Sequence, residues 1–169
     1  MAIVDSARAG LHAIELGATI VQLRGLHLTG RDLEREAMVL VPKSSVPVIV
    51  SSRCDIALAA GAAGVNLRER DVPVAAARKL LGQRLIGRSV HSSEGAREAE
   101  QAGADFVIFG PVWDSPSHAG QPPQGLEGLT KVVNGVRIPV LAIGGIDSDR
   151  AKECIAAGAQ GYAAIRMFL

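Results

Sequence analysis

Within VRIPVLAIGGIDSD, Val136 to Asp149, a Gly pair follows a short apolar run and precedes Asp147 and Ser148. Gly144 and Gly145 leave their backbone N–H groups uncovered, and a helix starting near Asp147 or Ser148 aims its positive end at the same spot. A phosphate fits such a turn. A compact strand-to-helix turn would use the same two glycines without any ligand.

A second group with chemical capacity lies in IVQLR, Ile20 to Arg24. Alternate side chains of a strand share a face, so Ile20, Gln22 and Arg24 point one way while Val21 and Leu23 point the other. An Arg and a Gln on a covered face need a partner, which is either an anionic or polar ligand or an interior carboxylate. Asp71 follows the strand-like GVNL and precedes Pro73. It suits the cap of the helix that Pro73 opens, the reading these residues favour, and it equally stands where a carboxylate would hold Mg²⁺ against a diphosphate. Ser89 and His91 leave the run LIGRSV, where a hydroxyl suits a phosphate or heterocycle and the His suits loop carbonyls. The loop DSPSHAGQPPQ, Asp114 to Gln124, supplies Ser115, Ser117 and His118 as donors. Its position after the run FVIFGPV predicts a mobile loop that closes over a ligand. Trp113, the only Trp, either stacks on a planar ring or wedges this loop. There is no Ser-His-Asp order, no P-loop and no dinucleotide fingerprint.

The elements that position these residues show as a repeat. Four times a helix runs through Gly-Ala into an apolar run: ELGATIVQLR, AAGAAGVNLR, QAGADFVIFG and AAGAQGYAAIR. With the runs at Ser44 and Gln83, one strand plus one helix recurs about every 20 to 25 residues, the spacing of a (β/α) barrel. Helices are expected over Asp5 to Leu16, Gly30 to Val41, Arg53 to Ala60, Pro73 to Leu81, Ser92 to Ala102, Glu127 to Asn134 and Ser148 to Ala157. Strands are expected near Thr19, Val46, Gly64, Arg84, Phe106, Pro139 and Gly161. All 169 residues fit one domain.

Composition agrees with that architecture. Hydrophobic residues make up 48% and aromatics 3%, so the core is built from Val, Ile, Leu and Ala, as in parallel strands under Ala-rich helices. Lys plus Arg number 18 against 17 acidic residues with no basic run interleaved with aromatics, which argues against a nucleic-acid partner. No apolar run reaches membrane-spanning or signal-peptide length, so the expected location is cytoplasmic. Cys54 and Cys154 have no metal-type spacing and read as reduced packing residues.

The motifs VQLR, DIALA, GRSVHS, AGADFVIFGPV, QGLEGL and IPVLAIGGI, in this order and spacing over nearly the whole chain, resemble the thiamin phosphate synthase family; GRSVHS is similar to its TenI-type branch. The resemblance implies a TIM-type (β/α) barrel acting on small phosphorylated heterocycles. Synthases of the family join an aminopyrimidine diphosphate to a thiazole phosphate and release diphosphate with Mg²⁺. It further implies that Gln22 and Arg24 contact diphosphate and pyrimidine, that Asp71 is a Mg²⁺ ligand, that Ser89 lies on the pyrimidine side, and that Ser115 and Ser117 hold the thiazole side chain and phosphate. Gly145 with the backbone near Ile165 and Arg166 corresponds to the thiazole phosphate cradle, and His118 to a catalytic loop Lys. The chain departs from the pattern at Ser52, where a Mg²⁺ carboxylate is usual, at Leu26, where a basic residue is usual, and at Pro111, where TenI-type tautomerases carry a catalytic His. Thiazole phosphate or thiamin phosphate binding with weak or altered catalysis is therefore the expectation; an active synthase, a thiazole tautomerase and a non-catalytic regulator are the alternatives. A barrel of this family also starts with a strand and ends with a helix that the periodicity does not show here. Missing its first strand, the barrel would either close with seven strands or pair as a homo-oligomer.

Overall fold

The computed structural model of the chain describes residues 1–116, 120 and 122–168. Eight parallel strands follow one another round a barrel: β1 (Ala2–Val4), β2 (Val21–Leu23), β3 (Val48–Ser51), β4 (Gly64–Leu67), β5 (Leu85–Val90), β6 (Phe106–Phe109), β7 (Val140–Ile143) and β8 (Gly161–Ala163). Between them run α1 (Ala7–Glu15), α2 (Gly30–Leu40), α3 (Cys54–Ala59), α4 (Val74–Leu81), α5 (Ser93–Gln101), α6 (Gly125–Gly135) and α7 (Ser148–Ala156). The TIM-type barrel read from the sequence is the observed fold.

The first strand, expected to be missing, is present. Residues 1–4 are all buried, and Ile3 N–H donates to the Ala164 carbonyl (2.9 Å) while Ala164 N–H donates to Met1 (3.1 Å), so the ring of strands closes between β8 and β1. Three residues are too short for a periodic signal, which is why the strand merged with the following helix on the page. With that edge paired, the argument for association through a bare strand falls away. After β8 the described residues form a 3-10 turn, Arg166–Phe168, and no α-helix.

Alternation sorts the side chains into two layers. Ile3, Ile49, Phe106, Ile108 and Ala163 fill the barrel with Ile20, Leu141 and Ile143, while Val21, Leu23, Val50, Val65 and Val107 face the helices. Capping places each helix start: Ser6, Thr29 and Ser92 accept backbone N–H bonds at α1, α2 and α5, and Asp147 accepts those of Asp149 (3.1 Å) and Arg150 (2.9 Å) at α7. The Gly-Ala junctions end their helices with Gly17, Gly61, Gly103 and Gly158 at positive φ, as a left-handed C-terminal cap requires. Cys54 and Cys154 are free and buried, and burial raises the Cys154 thiol to about 11, in keeping with packing roles.

Candidate functional site

The carboxyl ends of the strands open on a cleft of about 460 Å³. Arg24, Ser115, Gly145, Ile165 and Arg166, drawn from four separate stretches of sequence, all line it. Ser117 and His118 lie outside the described residues. Two loops give the cleft its character. Among the described residues, the N–H groups of Gly145 and Ile146 after β7, and those of Ile165 and Arg166 after β8, donate to no acceptor. Backbone donors left open on two adjacent loops at one cleft form a nest suited to an oxyanion. Asp147 qualifies the helix contribution, because its carboxylate already takes the first N–H groups of α7 and stands at the same cleft.

The two glycines are required by the protein itself. After β6 the chain runs alongside the end of β7, with Val112 N–H donating to Ile143 (2.8 Å) and Trp113 N–H to Gly144 (3.1 Å). A Cβ on Gly145, at φ +64, would stand 2.6 Å from the Asp114 carbonyl; one on Gly144, at φ +103, would stand 2.7 Å from Pro111. Any side chain at Gly145 thus meets backbone before it meets a ligand. Trp113 packs partly buried against the core, its ring 5.1 Å from the Arg150 guanidinium, which also donates to the Gly145 carbonyl (2.7 Å). Nothing in the sequence marked Arg150, because its place depends on how α7 meets the preceding turn.

Deeper in the barrel a second polar group spans β2 to β5. Gln22 is 2% exposed and donates through Nε2 to Ser51 Oγ (3.0 Å); Asn66, also 2% exposed, donates through Nδ2 to Ser89 Oγ (3.0 Å). Gln22 Oε1 and Asn66 Oδ1 are buried without a hydrogen-bond partner among the described residues. Leaving two buried acceptors bare costs about 1–3 kcal/mol each, and a ligand carrying N–H donors would satisfy them. Asn66 was legible as the one polar residue of the run GVNL, and Arg68, two places on, shares its face. His91 donates from Nδ1 to the Gly110 carbonyl, the loop-bridging role.

Arg24 is half-buried at the mouth. Burial lowers its pKa, with repulsion from Arg68 adding to the shift, yet a guanidinium remains charged. Arg24 makes no carboxylate pair among the described residues, so the interior ion pair is not seen. Asp71 does not cap α4: Pro73 occupies the cap position with no side-chain bond. Its Oδ2 instead accepts the backbone N–H of Arg68 (2.6 Å), and its Oδ1 lies 3.5 Å from Arg68 Nη2, because the turn Arg68–Asp71 folds the carboxylate back on itself. Arg68 Nε donates to Ser52 Oγ (3.1 Å). The residues at this place do not fit the Mg²⁺ that the resemblance implies: one carboxylate is present, both its oxygens face Arg68, and among the described residues no three His, Cys, Asp or Glu gather into a metal-binding group.

Comparison with known proteins sets this geometry in context. The sequence profile of the TMP-TENI family, described as thiamine monophosphate synthase, matches residues 4–168. A putative thiamine-phosphate synthase of Geobacter sulfurreducens is 43% identical over 170 residues, covering 98% of this chain and 77% of that one. A thiamine-phosphate synthase of Chloroflexus aurantiacus is 38% identical over 168 residues, covering 97% and 75%. Among solved structures, a thiamine phosphate pyrophosphorylase from Pyrococcus furiosus superposes with a TM-score of 0.90 at 35% identity, covering 99% of this chain and 86% of that one.

Proposed function

The chain belongs to the thiamine monophosphate synthase family, and from that premise we propose that it is a TenI-type thiamin-biosynthesis protein that binds thiazole phosphate or thiamin phosphate, with weak or altered catalysis. The observation that carries the reading is the convergence of open N–H groups from the Gly145 and Ile165 loops on a cleft shared with Arg24 and Arg166. The phosphate is bound by backbone at Gly145, Ile146 and Ile165, with Ser115 donating from the loop after β6 and Arg166 supplying charge at the lip. Ser117 belongs to the same hydroxyl set by its position in that loop. Gln22 and Ser89 line the adjoining half-site, where a pyrimidine would satisfy the bare amide oxygens.

Calorimetry with thiazole phosphate tests this. Arg166 is exposed and makes no fold-bearing contact, so Arg166→Glu weakens binding about tenfold, roughly 1.4 kcal/mol, with unfolding unchanged. An unaltered affinity, or no binding by the native chain, overturns the assignment.

The weak-catalysis half of the reading follows from charge. Diphosphate departure develops negative charge that preorganised cations stabilise, at about 3 kcal/mol per contact in the barrier. Ser52 removes one carboxylate, Asp71 is engaged by Arg68, and His118 replaces a permanently charged loop residue. Coupling of aminopyrimidine diphosphate to thiazole phosphate is expected to run about 10³-fold or more below the Chloroflexus aurantiacus relative assayed alongside it. Comparable turnover would show that the departures are compensated.

A further inference from the structure

At the mouth of the barrel over β2, β3 and β4 the guanidiniums of Arg24 and Arg68 lie within electrostatic reach of each other, and the Asp71 carboxylate faces Arg68. Arg68 lies between Ser52 and Asp71, bonded to the first through Nε and facing the second through Nη2. These are the two positions from which metal ligands were expected, so a cation stands there already, as part of the chain. Two of the five N–H groups of Arg68 are used by these partners, and the rest remain to bind a ligand. Arg24, on the next strand but one, has no carboxylate partner among the described residues, which leaves the trio one positive charge in excess. A divalent ion brought to Asp71 would have to displace Arg68 or sit beside it against charge repulsion. Below, on β2 and β4, the oxygens of Gln22 and Asn66 are buried without a hydrogen-bond partner among the described residues.

We propose that Arg68 takes the place of a divalent cation, so that Arg24 and Arg68 together bind a diphosphate-class anion directly, without a bridging metal. The proposal rests on the reading of the chain as a protein for phosphorylated heterocycles; Arg24 is shared with the Gly145 cleft, but the test turns on Arg68, which does not line it. Guanidinium forks suit this role, since each offers paired N–H donors to phosphate oxygens. Ser52 belongs to the same device: at φ +64 it holds its hydroxyl where it orients the Arg68 head.

Titration calorimetry with inorganic pyrophosphate, in EDTA and again in Mg²⁺, tests this on the whole chain. The native protein is expected to bind in EDTA with an affinity within about threefold of that in Mg²⁺, and Arg68→Ala to weaken the EDTA binding by about tenfold or more. Arg68 is exposed, so the variant keeps its circular dichroism spectrum. Arg35→Ala, removing an exposed charge on α2, leaves the affinity unchanged. Binding by the native chain only when Mg²⁺ is present, an Arg68→Ala affinity equal to native, or an equal loss in Arg35→Ala each overturns the proposal. Pyrophosphate bound in EDTA with sensitivity to Arg68 supports it whether or not thiazole phosphate binds at Gly145, which separates the two readings.

Discussion

Gly145 shows how one residue answers to two demands. Its N–H is open to the cleft, yet its missing Cβ is needed by the Asp114 carbonyl, 2.6 Å from where that atom would stand. Gly145→Ala must therefore strain a left-handed backbone and push the loop after β6 away, at a cost of about 2 kcal/mol or more. The expected outcome is a lowered urea midpoint together with lost thiazole phosphate affinity. Unchanged stability with lost affinity would show that the loop yields freely and that the glycine serves the ligand alone. Arg166, whose side chain carries no such structural duty, is the cleaner probe of the phosphate.

At the scale of elements, the Arg78 anchor and the candidate cleft lie at opposite ends of the strands. Arg78, on α4, donates to the carbonyls of Gly82 (2.8 Å), Arg84 (2.7 Å) and Gly103 (2.9 Å) and to Asp105 Oδ2 (2.6 Å), and Asp105 also accepts Ile86 N–H. One side chain thus fastens the entries of β5 and β6 to the helix below them, far from the carboxyl ends where the cleft opens. Arg78→Met keeps the aliphatic stem and removes the donors, so it should cost about 2 kcal/mol by urea denaturation, discounted for the partial exposure of the pair. Pyrophosphate and thiazole phosphate affinities should stay within about twofold of native. A large affinity change would mean that the two ends of the barrel are coupled.

For the whole molecule, closure depends on its shortest strand. β1 contributes three residues, yet Ile3 N–H is one of the few bonds that join β8 to β1, and Ile3 also fills the barrel interior. Ile3→Pro removes that donor, leaves the Ala164 carbonyl bare and disturbs the interior, a loss of about 3 kcal/mol. Urea denaturation should show the loss, and size-exclusion chromatography should show association as the uncovered edges of β2 and β8 seek partners. A variant as stable as native would mean that the ring does not need β1.

The barrel itself was legible without coordinates, because a strand-helix period marked by Gly-Ala stops survives any detail of packing. Gln22 and Arg24 could be assigned to the inner face from alternation alone, and the Gly144-Gly145 turn from its composition. Three things were decided only in space. β1 is too short to carry a pattern and exists through its pairing with β2 and β8. Asp71 satisfies the rule for a helix cap equally well, and the turn after β4 decides instead that it folds back to Arg68. Arg68 itself looks like a solvent-exposed charge in the run LRER; it becomes a cation seated between Ser52 and Asp71 only because the end of β3 brings Ser52 alongside, a neighbour 16 residues away in sequence. Local patterns determine which face a residue occupies, whereas partners arriving from other strands determine what its charge is used for.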